Sequence, residues 1–388
     1  MKIAIFSDTF NINGVTSIVY ESAKRLAELG HEVRLFVIGK KLKETPEMEN
    51  INNLTLISLP SLPAGWVYPN ERLYLPLGFS LRRLKDFTPD IIHTHMPFTV
   101  GWEAVFLAKI FKIPLVGTHH TFYDHYLKHV KIDYDWGKKL SWKYTVGYYN
   151  RCDLVLSPSE SLAQAMAEKG LTKPMAVLEN FIDTAAFIPA SSQEQKEKLK
   201  KKFGLSGPSV VYMGRLSYEK SIDQIIKAFA ILLKTTPQAQ LMIIGDGPEK
   251  KNLVSLAKKL KISKNIIFTG FLQGRELIEA LQANDIFTTA SLSESFSLTI
   301  VEAMACGLPI VAVREKGPAE IVKDNANGFF VQPNNPQEMA KKITELLGSP
   351  EKLEQFSLAS RTLALNYSKE NIIARLENLY LSLLNKKI

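Results

Sequence analysis

At 388 residues, the chain is too long for one ordinary hydrophobic core and fits two domains. Its 46% hydrophobic and 22% charged residues exclude a disordered or fibrous protein, and its two cysteines, Cys152 and Cys306, exclude a disulfide framework or zinc cluster and fit a reduced, cytosolic protein. A net charge of +9 and a pI near 9.2 point to an anionic partner, whether nucleotide phosphate, acidic lipid headgroup or nucleic acid.

The apolar start, Met1 to Phe6, breaks at Ser7-Asp8, too soon for a signal peptide, and reads as a first buried strand. Asn11-Ile12-Asn13-Gly14 supplies turn chemistry, Thr16 to Leu29 has helical periodicity, Gly30 ends that helix, and Val33 to Ile38 is the next strand. This is a βαβ unit, and continuous apolar strands of this kind belong in a parallel sheet covered on both faces. The pattern recurs at Ile91-Ile92, with a helix from about Val100, at Leu115 to Gly117, at Leu154 to Leu156, with a capped helix Leu162 to Lys169, and at Met175 to Leu178.

Gln193 to Lys202 is dense in lysine and glutamate and follows Pro189-Ala190-Ser191-Ser192, so the domain boundary is expected there, with domains 1–188 and 189–368. A second strand series follows at Ser209–Met213, Leu241–Ile244, Ile266–Thr269, Ile286–Thr288 and Ile310–Val313. The expected fold class is α/β, with two Rossmann-like domains and two open parallel sheets. Ligands of such sheets bind beyond the carboxyl ends of the strands, which predicts an active site in the interdomain cleft. No stretch reaches about 18 uninterrupted apolar residues, so no membrane span is expected.

The loops directly after strands carry the chemistry. Gly214 to Ser221 places Arg215 and Lys220 between a strand and a helix start, which suits a diphosphate; a solvated basic turn fits the same residues equally well. Glu294-Ser295-Phe296-Ser297-Leu298-Thr299 leads to Glu302, eight positions from Glu294. Two carboxylates so placed could lie on one helix side or at its entry, as acceptors for sugar and ribose hydroxyls, with the Ser295 to Ser297 amides facing anionic oxygens. A capping carboxylate plus a helix-surface glutamate is the plainer alternative. His93, His95, His119 and His120 all follow strands, without a standard metal-ligand spacing; one or two of them read as polar groups lining the cleft, and Asp133-Tyr134-Asp135 as an accidental match to a metal-binding aspartate pair. Gly245-Asp246-Gly247-Pro248 marks a tight turn. A nicotinamide fingerprint, a P-loop and a nucleophile-elbow serine are all missing.

In this order and spacing, the segments resemble the retaining glycosyltransferases of family 4, whose fold is the two-domain GT-B type. Asn13-Gly14-Val15, Pro89 to His95, Gly117 to Thr121, Glu179 to Asp183, Gly214 to Lys220 and the pair Glu294/Glu302 carry the resemblance, nearly end to end. It implies that Arg215 and Lys220 grip the donor diphosphate. It places Glu294 on the donor sugar beside the Ser295–Ser297 backbone, Glu302 on the ribose, His120 near the transferred sugar, and Gly14 in the loop by the phosphates. Gly214, Phe296, Leu298 and Thr299 complete the implied donor site. The resemblance further implies a hexose transferred from a nucleotide-sugar with retention, no metal or other cofactor, and uridine as the commonest base. Ser221, Ser295 and Ser297 stand where glycine is frequent, and Asn180-Phe181 replaces asparagine-glycine, which bears on donor geometry and leaves the reaction class alone.

Tyr123, Tyr126, Lys128, Lys131, Trp136, Lys138, Lys139, Trp142, Lys143, Tyr144, Tyr148 and Tyr149, with Arg82, Arg83 and Lys85 after the stretch from Trp66 to Phe79, have the composition of a segment that meets anionic lipid. Pro97 to Gly101 and Thr118 to Tyr123 resemble the diacylglycerol glucosyltransferases and phosphatidylinositol mannosyltransferases of the family. The expectation is therefore a diacylglycerol-like acceptor at the inner membrane face; a solvated surface over core aromatics, with a soluble or polysaccharide acceptor, is the alternative. Helix 369–388 is expected to pack back on the first domain. Nucleic acid is disfavoured because the lysines are spread through helices, and a phosphorylase would need a pyridoxal-binding lysine that is not identifiable.

Overall fold

The computed structural model describes residues 1–9, 14–38, 51–63, 72–74, 78–122 and 134–385. The chain divides into two compact units, Met1–Asn180 with Glu370–Ile388, and Phe181–Lys369.

The first unit contains β1 (Lys2–Thr9), α1 (Gly14–Glu28), β2 (Glu32–Ile38), β3 (Leu54–Leu59), β4 (Ser61–Pro63), β5 (Arg72–Tyr74), α2 (Leu81–Phe87), β6 (Ile91–Thr94), α3 (Thr99–Phe111), β7 (Leu115–Thr118), α4 (Asp135–Tyr149), β8 (Leu154–Ser157), α5 (Glu160–Glu168) and β9 (Met175–Val177). Seven strands form a parallel sheet in the order β3-β2-β1-β6-β7-β8-β9, and β4 pairs with β5 separately. The order reverses at β1, so Ile5 lies between Leu35 on one side and His93 on the other. Ala4, Phe6, Phe36, Ile92, Val100, Ala104, Leu107 and Val155 are buried in its core.

The second unit runs α6 (Gln193–Lys202), β10 (Ser209–Met213), α7 (Ile222–Leu232), β11 (Gln240–Ile244), α8 (Lys250–Lys259), β12 (Ile266–Gly270), α9 (Gly274–Gln282), β13 (Ile286–Thr289), α10 (Leu298–Ala305), β14 (Ile310–Val313), α11 (Lys316–Ile321), β15 (Gly328–Val331), α12 (Pro336–Leu347) and α13 (Pro350–Ala364). Its six-stranded sheet has the order β12-β11-β10-β13-β14-β15, all parallel. Two cores cover its faces, one around Tyr212, Phe229 and Ile243, the other around Phe287, Ile300 and Met304. Each fully buried side chain of this size stabilises by about 1.5–3 kcal/mol.

The split falls at 180/181, not at 188/189. Phe181 and Ile182 are buried and Ile182 belongs to the second core; its N–H donates to the Tyr367 carbonyl at 3.0 Å, and Arg361 donates to the Thr184 and Phe187 carbonyls. The charged run Gln193–Lys202, where the boundary is expected from sequence, lies wholly within the second unit. It is helix α6, whose Leu199 joins the second core while Lys196 and Lys200 both bind Asp285, at 2.7 and 2.8 Å.

The last helix, α14 (Lys369–Asn385), buries Ile372, Ile373, Leu376 and Tyr380 at helical spacing. Its residues from Glu370 group with the first unit. Glu377 meets His31 at 2.9 Å, Arg375 meets Glu179 at 2.5 Å and the Val177 carbonyl at 3.0 Å, and Tyr380 reaches β6. Among the described residues, no helix is long and apolar enough to cross a membrane.

Candidate functional site

In the second unit, the crossovers run outward in opposite directions from β10 and β13, which are neighbours in the sheet. This is the topological switch point, where helices diverge and leave a crevice beyond the strand ends. The loops after these two strands carry the residues singled out by sequence.

The first loop is fixed through its backbone. Gly214 N–H donates to Ile244 O at 3.0 Å, Leu216 N–H to Asp246 O at 2.9 Å, and Glu249 N–H to Leu216 O at 3.0 Å. A Cβ on Gly245, which has φ +135°, would overlap the Gly214 carbonyl, so this turn admits only glycine. Tyr212 Oη donates to the Arg215 carbonyl at 3.2 Å from below, with Leu216 buried and Arg215 exposed. A single 3-10 turn, Tyr218–Lys220, then leads into α7 through Ser221, which adopts φ 51° and ψ 39°. That left-handed conformation is the physical reason glycine suits this position.

The second loop brings Glu294 to the first: Lys220 Nζ donates to Glu294 Oε1 at 2.7 Å, both side chains being about four-fifths buried. Sequence places these residues 74 positions apart; the adjacency of β10 and β13 joins them. Glu294 lies in the loop ahead of α10, whereas Glu302 lies inside the helix, so the two carboxylates do not share one helical side. Burial pushes the Glu302 carboxyl up to about 8, and among the described residues no side chain donates to it. The residue keeps some exposed surface.

Ser297 precedes α10 without capping it: its Oγ lies 3.2 Å from Thr299 Oγ1, and the first turn holds no acidic residue. The helix therefore presents its amide donors and positive dipole end without side-chain compensation. Leu298 and Thr299 are half-buried in that turn. The donor contact expected of Phe296 belongs to the Ser295–Ser297 backbone stretch. The Phe296 ring is buried and meets Tyr367 edge-on at 5.6 Å in the core, so only its backbone is available to a ligand.

Sequence reasoning missed the segment after β14. Gly317 N–H donates to Glu294 O at 3.2 Å, and a Cβ there would come within 2.7 Å of Ser295 O, so Gly317 lets the Glu294–Phe296 backbone rest against α11. The signal was the Gly317-Pro318 dipeptide following a strand.

In the first unit the switch point lies between β1 and β6. Gly14 opens α1 beyond β1, while Asn13 falls outside the described residues. The strand ends of β6 and β7 gather four histidines, all buried. His93 spans Tyr380 Oη, 2.6 Å from Nδ1, and Thr118 Oγ1, 2.7 Å from Nε2. His95 Nδ1 lies 3.0 Å from His120 Nε2. Burial, reinforced by the His120 charge, pulls His93 and His119 down to about 3; burial alone takes His120 to about 4. Burial, with His93 and His120, holds His95 well below the usual value. Burial thus favours the neutral form of all four, and His93, His95 and His120 act as hydrogen-bonding groups. Among the described residues, no group of three or more metal-ligating side chains is placed to hold an ion.

The aromatic stretch divides in two. Trp142, Tyr148 and Tyr149 are core, with Tyr148 Oη 2.8 Å from Thr94 Oγ1 and Tyr149 Oη donating to the Thr118 carbonyl at 2.8 Å; they support the histidine strands. Trp136, Lys139, Lys143 and Tyr144 are exposed. Trp66, Tyr123, Tyr126, Lys128, Lys131 and Asp133 fall outside the described residues.

Two parallel sheets with their order reversing at the first strand, one ending in a cation–carboxylate pair and an uncapped helix, define a GT-B glycosyltransferase. Comparison with known proteins gives the same answer. Residues 12–186 match the model for Glycosyltransferase Family 4, and residues 193–362 match that for glycosyl transferases group 1. The alpha-monoglucosyldiacylglycerol synthase of Acholeplasma laidlawii is 30% identical over 402 residues, spanning 100% of this chain and 98% of that one. A synthase of the same name from Streptococcus pneumoniae is 28% identical, spanning 98% and 86%. Anabaena HepE, solved with UDP, superposes with a TM-score of 0.81 at 21% identity over 98% of this chain and 100% of that one, which speaks for the fold. The chain belongs to glycosyltransferase family 4.

Proposed function

We propose that this enzyme transfers a hexose, with retention, from a UDP-sugar to the hydroxyl of diacylglycerol or a related membrane lipid, working without a metal at the cytoplasmic face of a membrane. The observation that carries the donor half is the Lys220–Glu294 pair beside the uncapped start of α10. A diphosphate offers Lys220 and Arg215 the negative charge that a divalent cation would otherwise meet, while donor-sugar hydroxyls give Glu294 donors in place of Lys220. The Ser295–Ser297 amides and the α10 dipole add positive potential for the anionic oxygens. Glu302, to which no side chain among the described residues donates, accepts from the ribose hydroxyls, and Gly14 at the start of α1 lets backbone approach the phosphates. Neutral His120, held by His95, supplies a hydrogen bond to the transferred sugar.

In the transfer step, the bond from the anomeric carbon to the diphosphate oxygen breaks. The bond to the acceptor oxygen forms on the same face, and the departing phosphate takes the acceptor proton. No carboxylate nucleophile is required, in contrast to retaining glycosidases. The lipid acceptor is supported by the names of the Acholeplasma and Streptococcus relatives, and the uridine donor by the UDP complex of HepE.

The test is donor consumption over a panel of UDP- and GDP-sugars, with and without vesicles containing diacylglycerol and an anionic lipid, in the presence of EDTA. Consumption of one UDP-sugar that rises with lipid and survives the chelator is the expected result. Turnover without lipid dependence overturns the lipid acceptor and leaves the glycosyltransferase. Loss of activity with EDTA overturns the metal-free mechanism.

A further inference from the structure

We propose that the outward face of α3 and α4 is the surface by which this protein seats on an anionic lipid bilayer. The inference deepens the lipid-acceptor reading and rests on it, yet its geometry and its test stand apart from transfer chemistry.

A helix at the surface of a soluble domain buries one stripe and shows water a polar one. Helix α3 buries Val100, Ala104, Leu107 and Ala108, but its other side shows Phe106 56% exposed and Ile110 49% exposed. Phe98, also exposed, and half-buried Trp102 continue that line toward the amino end at four-residue steps. Helix α4 repeats the arrangement. It buries Trp142, Val146 and Tyr149, and shows Trp136, Leu140 and Tyr144, again four residues apart. Trp102 Nε1 donates to Tyr144 Oη at 2.8 Å, so the two apolar stripes meet. Scattered exposed apolar residues are ordinary on a soluble protein, whereas two aligned stripes that join mark an interaction surface.

Charge selects the partner. Lys109 and Lys112 flank the α3 stripe, Lys139 and Lys143 the α4 stripe, and Arg151 stacks on Trp102 at 4.8 Å. The one exposed acid on the two helices is Asp135; Glu103 is buried, taken up by Tyr74 Oη and the Ser80 amide. Tryptophan and tyrosine with an apolar body and a polar tip, next to lysines whose stems lie along apolar surface, suit the headgroup layer. A partner of neutral or positive surface would leave this excess of cations unmet. Helix α2 is a poorer candidate, since over its seven residues Arg82, Arg83 and Lys85 are exposed with a single exposed apolar residue, Leu81.

The experiment is flotation of the full chain with vesicles of an equal mixture of phosphatidylglycerol and phosphatidylcholine, against phosphatidylcholine alone, over a salt series. Binding to the anionic vesicles that weakens with salt is expected. The variant Phe106→Glu with Ile110→Glu is expected to bind about a hundredfold more weakly, and Lys139→Ala with Lys143→Ala about twentyfold, from about tenfold per buried apolar side chain and about fivefold per lysine. Circular dichroism and thermal melting of the variants confirm that each is folded. Arg82→Ala with Arg83→Ala retains binding within a few-fold. Full retention by the Phe106/Ile110 variant overturns the proposal. So does a native dimer that the same variant splits into monomers by light scattering, because the face would then belong to a second copy of the chain. Flotation reads no transfer, so a chain that floats through this face while lipid fails to stimulate turnover upholds the surface and overturns only the acceptor.

Discussion

Replacing Glu302 by glutamine removes a carboxyl that burial pushes from the ordinary 4.5 to about 8. A carboxyl raised in the folded state keeps its proton over a range where the unfolded chain has lost it. Its stability contribution is therefore fully present below about 4.5 and is lost as pH rises through 8. Between 4.5 and pH 7, each tenfold step in proton concentration is worth about 1.4 kcal/mol, which sets an upper bound of about 3.4 kcal/mol. Because the residue keeps some exposed surface, about 1.5–3 kcal/mol is expected. Glutamine fills the same space and does not ionise, so Glu302→Gln is more stable than the parent by that amount at pH 7, and the margin shrinks toward zero near pH 4.5. Urea unfolding of both proteins across this range measures it. Hydroxyls that donate to the carboxyl favour its ionised form, so UDP affinity of the parent rises with pH toward 8 with proton release, and the variant binds weakly with no such rise. A variant no more stable than the parent at pH 8, or a margin that does not change with pH, would refute both the burial and its linkage to binding.

The remaining predictions concern the two clusters. Lys220→Ala removes a charged hydrogen bond worth about 1.5–3 kcal/mol, so UDP binding by calorimetry weakens about 10- to 100-fold; unchanged affinity would count against its diphosphate role. Glu294→Ala abolishes transfer while the melting temperature stays within a few degrees of the parent, and measurable normal turnover would remove Glu294 from the site. The four buried histidines are depressed in the folded state, so the first unit holds its stability above about pH 6.5 and loses it as pH falls toward 4, which acid unfolding followed by tyrosine and tryptophan fluorescence detects.

Much of the framework was legible because buried parallel strands write themselves as continuous apolar runs; Ser209–Met213 and Ile310–Val313 occupy the expected residues. Three strands escaped for local reasons. Leu54–Leu59 alternates in burial at a sheet edge, while Ser61–Pro63 and Arg72–Tyr74 are three residues each. Gly328–Val331 is a fourth, starting on a glycine that a strand reading disfavours, although a Cβ there would collide with the Ile310 backbone. Helix α6 reads from sequence as a domain boundary because only one face, through Leu199, needs to be apolar, while Asp285, far along the chain, neutralises two of its lysines. Aromatic composition was legible, but burial was not: Trp142 and Tyr144, two residues apart on α4, point to opposite sides, one to the core and one to solvent.

The candidate site shows why residue types can be read from a sequence while their pairing cannot. Lys220 and Glu294 meet because two loops distant in sequence end on adjacent strands. Each half-buried charge would be costly alone, so in the free protein each satisfies the other. On the proposed reading, a nucleoside diphosphate draws Lys220 away and leaves the Glu294 carboxylate without its cation, which offsets part of the binding gain. A complete nucleotide-sugar supplies phosphate oxygens to the lysine and sugar hydroxyls to the glutamate at once, so both groups leave one partner for another and neither is stranded. The pair thus sets the two parts of the donor in competition with the Lys220–Glu294 contact, and breaking that contact favours donor over spent nucleotide.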